Sequence, residues 1–112
     1  MEATELRIRN YVNVEFNGIT IPARIQTFDD FKNVKYWQPI HLTEQWLLDF
    51  GAVKIDKDFY NLGEFKILHH INEDFKWTLI YKGITLINNI KHVHRLQNLY
   101  FALNNNELIL NP

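Results

Sequence analysis

The chain has 112 residues, 46% of them hydrophobic and 14% aromatic, which suits one globular domain around a single core and excludes a disordered chain. Twelve Lys and Arg against thirteen Asp and Glu leave a net charge of -1, so no global field draws the protein to a polyanion, and nucleic-acid binding would need a local patch. Cys and Ser are both absent, which removes disulfides, thiolate metal sites and the usual hydroxyl or thiol nucleophiles.

The opening MEATELRIRN has neither a basic start nor an apolar run, and no later stretch reaches the length of a membrane span, so a soluble intracellular protein is expected. Leu6, Ile8, Val12, Val14 and Phe16 alternate with polar residues, and Ile19, Ile21, Ala23 and Ile25 alternate again after Asn17-Gly18. Asn-Gly suits the positive backbone angles of a type I′ turn, so the spacing predicts a two-residue hairpin with Phe16 facing Ile19, Val14 facing Ile21 and Val12 facing Ala23. Pro22 falls opposite Asn13, a pair that exchanges no hydrogen bonds, and places its strand near an edge. Thr27 to Gln38 holds at most a short strand at Val34 to Trp37.

Helix signals follow. Thr43 suits an N-cap, Glu44 puts a negative charge in the first turn, Leu42 and Leu47 are spaced as a hydrophobic staple, and Gly51 stops the helix. A first helix is expected over Glu44 to Phe50, a strand at Ala52 to Ile55, and a loop from Asp56 to Gly63. From Glu64 two turns, Asn72-Glu73-Asp74 and Lys82-Gly83, divide three alternating segments. Pairing across them sets Phe65, Ile67, His69 and Ile71 opposite Tyr81, Leu79, Trp77 and Phe75, then Ile84 and Leu86 opposite Tyr81 and Leu79. This is an antiparallel meander with Trp77 in its core. Asn89 to Leu103 repeats Val93, Leu96, Leu99, Tyr100 and Leu103 at helical spacing, Asn104-Asn105-Asn106 ends that helix, and Glu107 to Leu110 is a candidate last strand. The fold class is α+β, with hairpin, short middle helix, meander and a C-terminal helix packed on the sheet. A small, partly open SH3-like barrel is one arrangement of hairpin and meander.

Three stretches carry a resemblance: LRIRNYV at Leu6 to Val12, PIHLTEQWLLDFG at Pro39 to Gly51, and HVHRLQNLYFALNNNEL at His92 to Leu108. They resemble a group of small phage and prophage proteins of Bacteroidota with segments like L-R-I-G-N-x-V, P-I-x-L-T-E-x-W-L-x-K-F-G and V-H-x-L-Q-N-L-Y-F-A-L-T-G. Arg9 stands where that pattern has Gly, Asp49 where it has Lys, and Asn104-Asn105 where it has Thr-Gly. The resemblance implies a phage accessory protein in the cytoplasm of an infected bacterium, acting by binding a host protein or ribonucleoprotein. Inhibitors of CRISPR effectors are one class of such proteins. It brings no catalytic residues.

Two surfaces stand out. The outer face of the meander gathers Leu68, Ile80 and Ile87, rimmed by Lys66, His70, Lys76 and Lys82; an apolar centre with a basic rim suits either a partner surface or a face covered by the first helix. Lys91, His92, His94 and Arg95 crowd the start of the second helix, where the macrodipole favours an anion and where long side chains can equally extend into water. Adjacent His69 and His70 point to opposite faces of a strand, and His92 and His94 would diverge by about 200° on a helix, so no metal or cofactor is expected. Asp29-Asp30, Asp56 with Asp58, and Glu73-Asp74 read as solvated turn acids rather than an acid-base pair. Lys32, Lys35, Tyr36 and Trp37 interleave charge and rings as single-strand binders do, although Trp37 equally suits an anchor to the core. The expectation is a non-enzymatic protein that binds a host macromolecule. A nucleic-acid-binding module using the lysine-rimmed face is the alternative.

Overall fold

The computed structural model describes residues 6–27, 30–32, 37–70 and 76–110. Residue contacts divide the chain into two units, Met1–Ile40 with His92–Glu107, and His41–Lys91 with Leu108–Pro112.

In the first unit the hairpin forms in the expected register. Strand β1 (Tyr11–Phe16) and strand β2 (Ile19–Arg24) pair antiparallel with Val12 opposite Ala23, Val14 opposite Ile21 and Phe16 opposite Ile19. Asn17 and Gly18 take φ of 52° and 77°, the angles that an Asn-Gly turn supplies at little cost. Strand β3 (Trp37–Gln38) pairs with β1, so the order is β2-β1-β3 and Pro22 lies on an edge strand. Leu6, Val12, Ile25 and Trp37 form the core beside this sheet, with Ile8, Val14 and Phe31 against it. Trp37 is buried and meets Phe31 edge to face at 5.5 Å, the anchor role. Lys35 and Tyr36 lie outside the described residues.

Helix α2 (Val93–Asn104) completes this unit. Asn105 closes it at φ 55°, its N–H donating to the Phe101 carbonyl. The buried side chains are Val93, His94, Leu96 and Gln97, whereas Leu99 and Tyr100 are half-buried and Leu103 is 41% exposed. The expected stripe therefore holds only in the first half of the helix. Fully buried Gln97 is fastened to the chain start: its carbonyl oxygen accepts from the Tyr11 N–H at 2.8 Å and its amide donates to the Arg9 carbonyl at 3.0 Å. Arg7 reaches the same helix. It pairs with Glu107, donates through Nε to Asn98 Oδ1 at 2.9 Å and lies 4.4 Å over the Phe101 ring. Asn10, also buried, donates to the same Asn98 oxygen at 2.8 Å. The polar residues of LRIRN and LQN thus meet each other inside this unit, and what those stretches encode is architecture.

Arg9 has φ 80°, and its N–H donates to the Ile25 carbonyl while Asn10 N–H donates back to Arg7. A tight turn is therefore present with an arginine in a left-handed backbone position that glycine would occupy at lower cost.

In the second unit, helix α1 (Glu44–Asp49) is capped as expected. Thr43 Oγ1 accepts from the Trp46 N–H at 3.4 Å, and both staple residues, Leu42 and Leu47, are fully buried. Gly51 at φ 98° donates to Leu48, and Ala52 donates to Leu47, a complete Schellman ending. The sheet then runs β4 (Val53–Asp56), β5 (Phe59–Leu62), β6 (Phe65–His69), β7 (Trp77–Tyr81) and β8 (Ile84–Ile90), every neighbour antiparallel in that order.

The expected three-stranded meander is five-stranded. The segment expected as a loop contains β5, whose Tyr60 and Leu62 are buried; four residues are too short for periodicity to declare a strand, and pairing on both sides creates one. The β6–β7 register is the expected one, with Phe65, Ile67 and His69 opposite Tyr81, Leu79 and Trp77. Ile71, the Asn72–Asp74 turn and Phe75 lie outside the described residues. On the other side Ile84 faces Tyr81 as expected, but Leu79 faces Ile87 rather than Leu86, because the ladder shifts between Leu79 and Ile80. Hairpin and meander form separate three- and five-stranded sheets rather than the one curled sheet of an SH3-like barrel, since β1 takes β3 beside it and the meander extends through β5 to β4. Residues 107–110 form no strand. Among the described residues no helix is long and apolar enough to cross a membrane.

Candidate macromolecule interface

Alternation along the five strands gives the second unit's sheet two faces of different character. Phe65, Ile67, Trp77 and Leu79 are essentially fully buried on the inner face, together with Tyr60 and Ile90. Helix α1 is tied to this face. The Trp77 indole N–H donates to the Leu42 carbonyl at 2.8 Å, and the Tyr60 hydroxyl donates to the Glu44 carboxylate. Burial, then the neighbouring carboxylate, push the Tyr60 phenol well above its ordinary value; the same bond, aided by Lys54, holds the Glu44 carboxyl below its own. His69 stacks on Trp77 at 4.3 Å with its Nδ1 3.9 Å from Asp58.

The outer face is therefore not covered by α1, which decides one of the two alternatives left open by the sequence. Pairing lays Val53, Asn61, Lys66, Ile80 and Thr85 in one row across all five strands, and Phe59, Leu68 and Thr78 in the next. Val53 is 60% exposed, Lys66 is exposed, and Phe59, Leu68 and Ile80 are half-buried. Ile87 leaves the expected set, because the shifted ladder sets it opposite Leu79 in the inner row. Sequence reasoning missed Val53, Phe59 and Asn61, which join this face only because β5 exists. The local sign in the sequence is no more than the strand-favouring rings Phe59 and Tyr60 ahead of Gly63; the alternating burial of Phe59 to Leu62 is visible only once β4 and β6 pair with them.

His70 sits beside these rows. Its Nε2 lies 2.6 Å from Thr78 Oγ1 and 3.0 Å from the Asn88 carbonyl, so the ring spans from the end of β6 across β7 to β8 where the ladder is irregular. Lys76 precedes β7, half-buried, and its carbonyl accepts from the His70 N–H. Lys82 is in the β7–β8 turn at φ 50°, 5.3 Å over the Tyr81 ring and 4.0 Å from Glu64. Four of the six expected residues, Lys66, Leu68, His70 and Ile80, thus share one face, while Lys76 and Lys82 flank it; Lys66, expected on the rim, instead stands on the middle strand between Asn61 and Ile80 because β5 and β4 extend the sheet beyond it.

The second expected cluster is distributed differently. Lys91 is exposed at the end of the second unit, its carbonyl accepting from the Leu42 N–H at 2.8 Å. In the first unit His92 is the extended N-cap of α2 and makes no side-chain capping bond, Arg95 is exposed and His94 is buried. Because His92 is not helical, its ring does not diverge from that of His94; the two stack 5.7 Å apart, 10° from parallel. Among the described residues no group of three or more His, Asp or Glu is placed to hold a metal ion. Asp30 accepts from the Gln26 and Thr27 N–H groups, the turn-acid role, while Asp29, Glu73 and Asp74 lie outside the described residues.

Compared with protein-family models, curated proteins and solved structures, the chain matches none.

Proposed function

We propose that this protein is a non-enzymatic phage accessory protein that binds a host macromolecule through the outer face of its five-stranded sheet. The observation that carries the reading is the tethering of α1 to the opposite face, which leaves Val53, Phe59, Leu68 and Ile80 at the surface around Lys66 on the middle strand. Surfaces of that composition are what protein interfaces are built from. The phage setting comes from the resemblance of the three stretches, and within it inhibition of a defence nuclease such as a CRISPR effector is the proposed activity. A nucleic-acid-binding module is the second reading, favoured by Lys66, Lys76 and Lys82 around the same face.

Immobilised protein incubated with bacterial lysate tests this. Capture that survives nuclease treatment, changes little with salt and disappears in the Ile80→Glu variant supports the first reading, provided that variant keeps the wild-type circular dichroism. Capture lost on nuclease treatment, or falling steeply with ionic strength, supports the second. Capture unchanged by Ile80→Glu removes the face from both.

A further inference from the structure

We infer that Lys66 is the charged anchor of the outer face, and that its occupant is a polypeptide segment presenting one carboxylate among apolar side chains. This inference rests on the reading of that face as the binding surface.

Strand β6 is the middle strand of five, and Lys66 stands on it with Asn61 on one side and Ile80 on the other, followed along the same strand face by Leu68. Its stem can lie along this apolar surface while the ammonium remains in water. Among the described residues its ammonium makes no ion pair or hydrogen bond, whereas Lys54 has Glu44 at 3.4 Å and Lys82 has Glu64 at 4.0 Å. A partner closing over Leu68 and Ile80 strips water from this ammonium. Desolvating an unanswered charge is expensive, so a well-fitting partner carries a carboxylate at that point.

The same geometry disfavours nucleic acid as the occupant. Sheets that bind single strands stack bases on aromatic side chains of their central strands. Here the central outward positions are Lys66 and Leu68 on β6 with Thr78 and Ile80 on β7, and Phe59 on β5 is the one ring in these two described rows. Phosphates would also find little continuous charge, since Lys82 is answered by Glu64 and the whole chain carries -1.

The experiment selects a displayed library of random peptides on the intact protein and measures the enriched peptides against variants. Enriched sequences should carry Asp or Glu flanked by apolar residues, and their affinity should fall about tenfold for Lys66→Glu and remain unchanged for Arg9→Glu, the same charge change at an exposed position outside this face. Circular dichroism and the urea midpoint establish that Lys66→Glu is folded. Peptides that weaken with Ile80→Glu but ignore Lys66→Glu overturn the anchor and leave the face standing. Peptides indifferent to both variants overturn the face as well. Tighter binding of oligothymidylate than of any selected peptide, or a library that yields no binder, overturns the polypeptide occupant.

Discussion

The indole N–H of Trp77 donates to the main-chain carbonyl of Leu42 at 2.8 Å, joining β7 to the residue just before the α1 N-cap. Both residues are buried, so the bond satisfies a donor and an acceptor that water cannot reach. It also assigns the two faces of the sheet, because holding α1 on the Trp77 side leaves the Lys66 side for something else.

Trp77→Phe should lower unfolding free energy by about 1–3 kcal/mol by leaving the Leu42 carbonyl unpaired, and Trp77→Ala by about 3–5 kcal/mol as the Tyr60 and His69 ring contacts also go. Urea unfolding monitored by circular dichroism measures both. A Trp77→Phe loss near zero beside a large Trp77→Ala loss would show that the hydrogen bond contributes little beside packing.

Arg9→Gly should stabilise the protein. A left-handed backbone costs a side chain of ordinary shape about 1–2 kcal/mol, and the extra freedom glycine brings to the unfolded chain returns about 0.4–1 kcal/mol of that. Arg9 is exposed, and among the described residues its side chain makes no bond that would be lost. A net gain of about 0.5–1 kcal/mol in a urea titration is the expected result; a loss would mean that the guanidinium does something the backbone argument omits.

Arg7 and Glu107 should behave as a coupled pair. Glu107 is nearly buried and Arg7 about a third exposed, so removing either partner alone strands a charge that the other had answered. A double-mutant cycle with Arg7→Met and Glu107→Gln should return a coupling of about 1–3 kcal/mol, above the range of exposed pairs. A value near zero would reduce the pair to a surface contact.

Stability should fall at both ends of the pH range around Tyr60 and Glu44, at the alkaline end chiefly through the burial of the phenol and then through its bond to Glu44, and at the acid end chiefly through that bond. The Glu44 carboxyl is held below its ordinary 4.5, chiefly by the Tyr60 hydroxyl, so the unfolded chain takes up this proton first. That contribution is present above about pH 4.5 and is lost as pH drops further. Tyr60 has the opposite sign: its phenol titrates above the ordinary 10.0 in the folded protein, so its contribution is present below about pH 10 and is lost as pH rises beyond it. Tyr60→Phe should flatten both limbs of a plot of urea midpoint against pH. An acid limb left unchanged would show that the Tyr60–Glu44 bond is not formed in solution, and an alkaline limb left unchanged would show that the phenol is not buried.

Much of the secondary structure was legible because its signals are local. Asn17-Gly18 specified the hairpin register, Thr43 and Gly51 bounded α1, and alternation from Phe65 to Tyr81 set the pairing of β6 with β7. Each depends on backbone angles or side-chain period within a few residues. The parts that were not legible depend on distant partners. β5 is a strand only because β4 and β6 flank it, Gln97 is buried because Tyr11 and Arg9 satisfy its amide, and Ile87 changes face because the β7–β8 ladder shifts.

The amino-acid sequence by itself therefore determined which side chains of β6 and β7 face together, since a period of two leaves no other choice once one row is apolar. It could not determine which face α1 would occupy, because that rests on Trp77 meeting Leu42 and Tyr60 meeting Glu44, contacts between residues 35 and 16 apart that no local pattern records. Tertiary structure made that decision, and with it left Lys66 unanswered on the open side of the sheet.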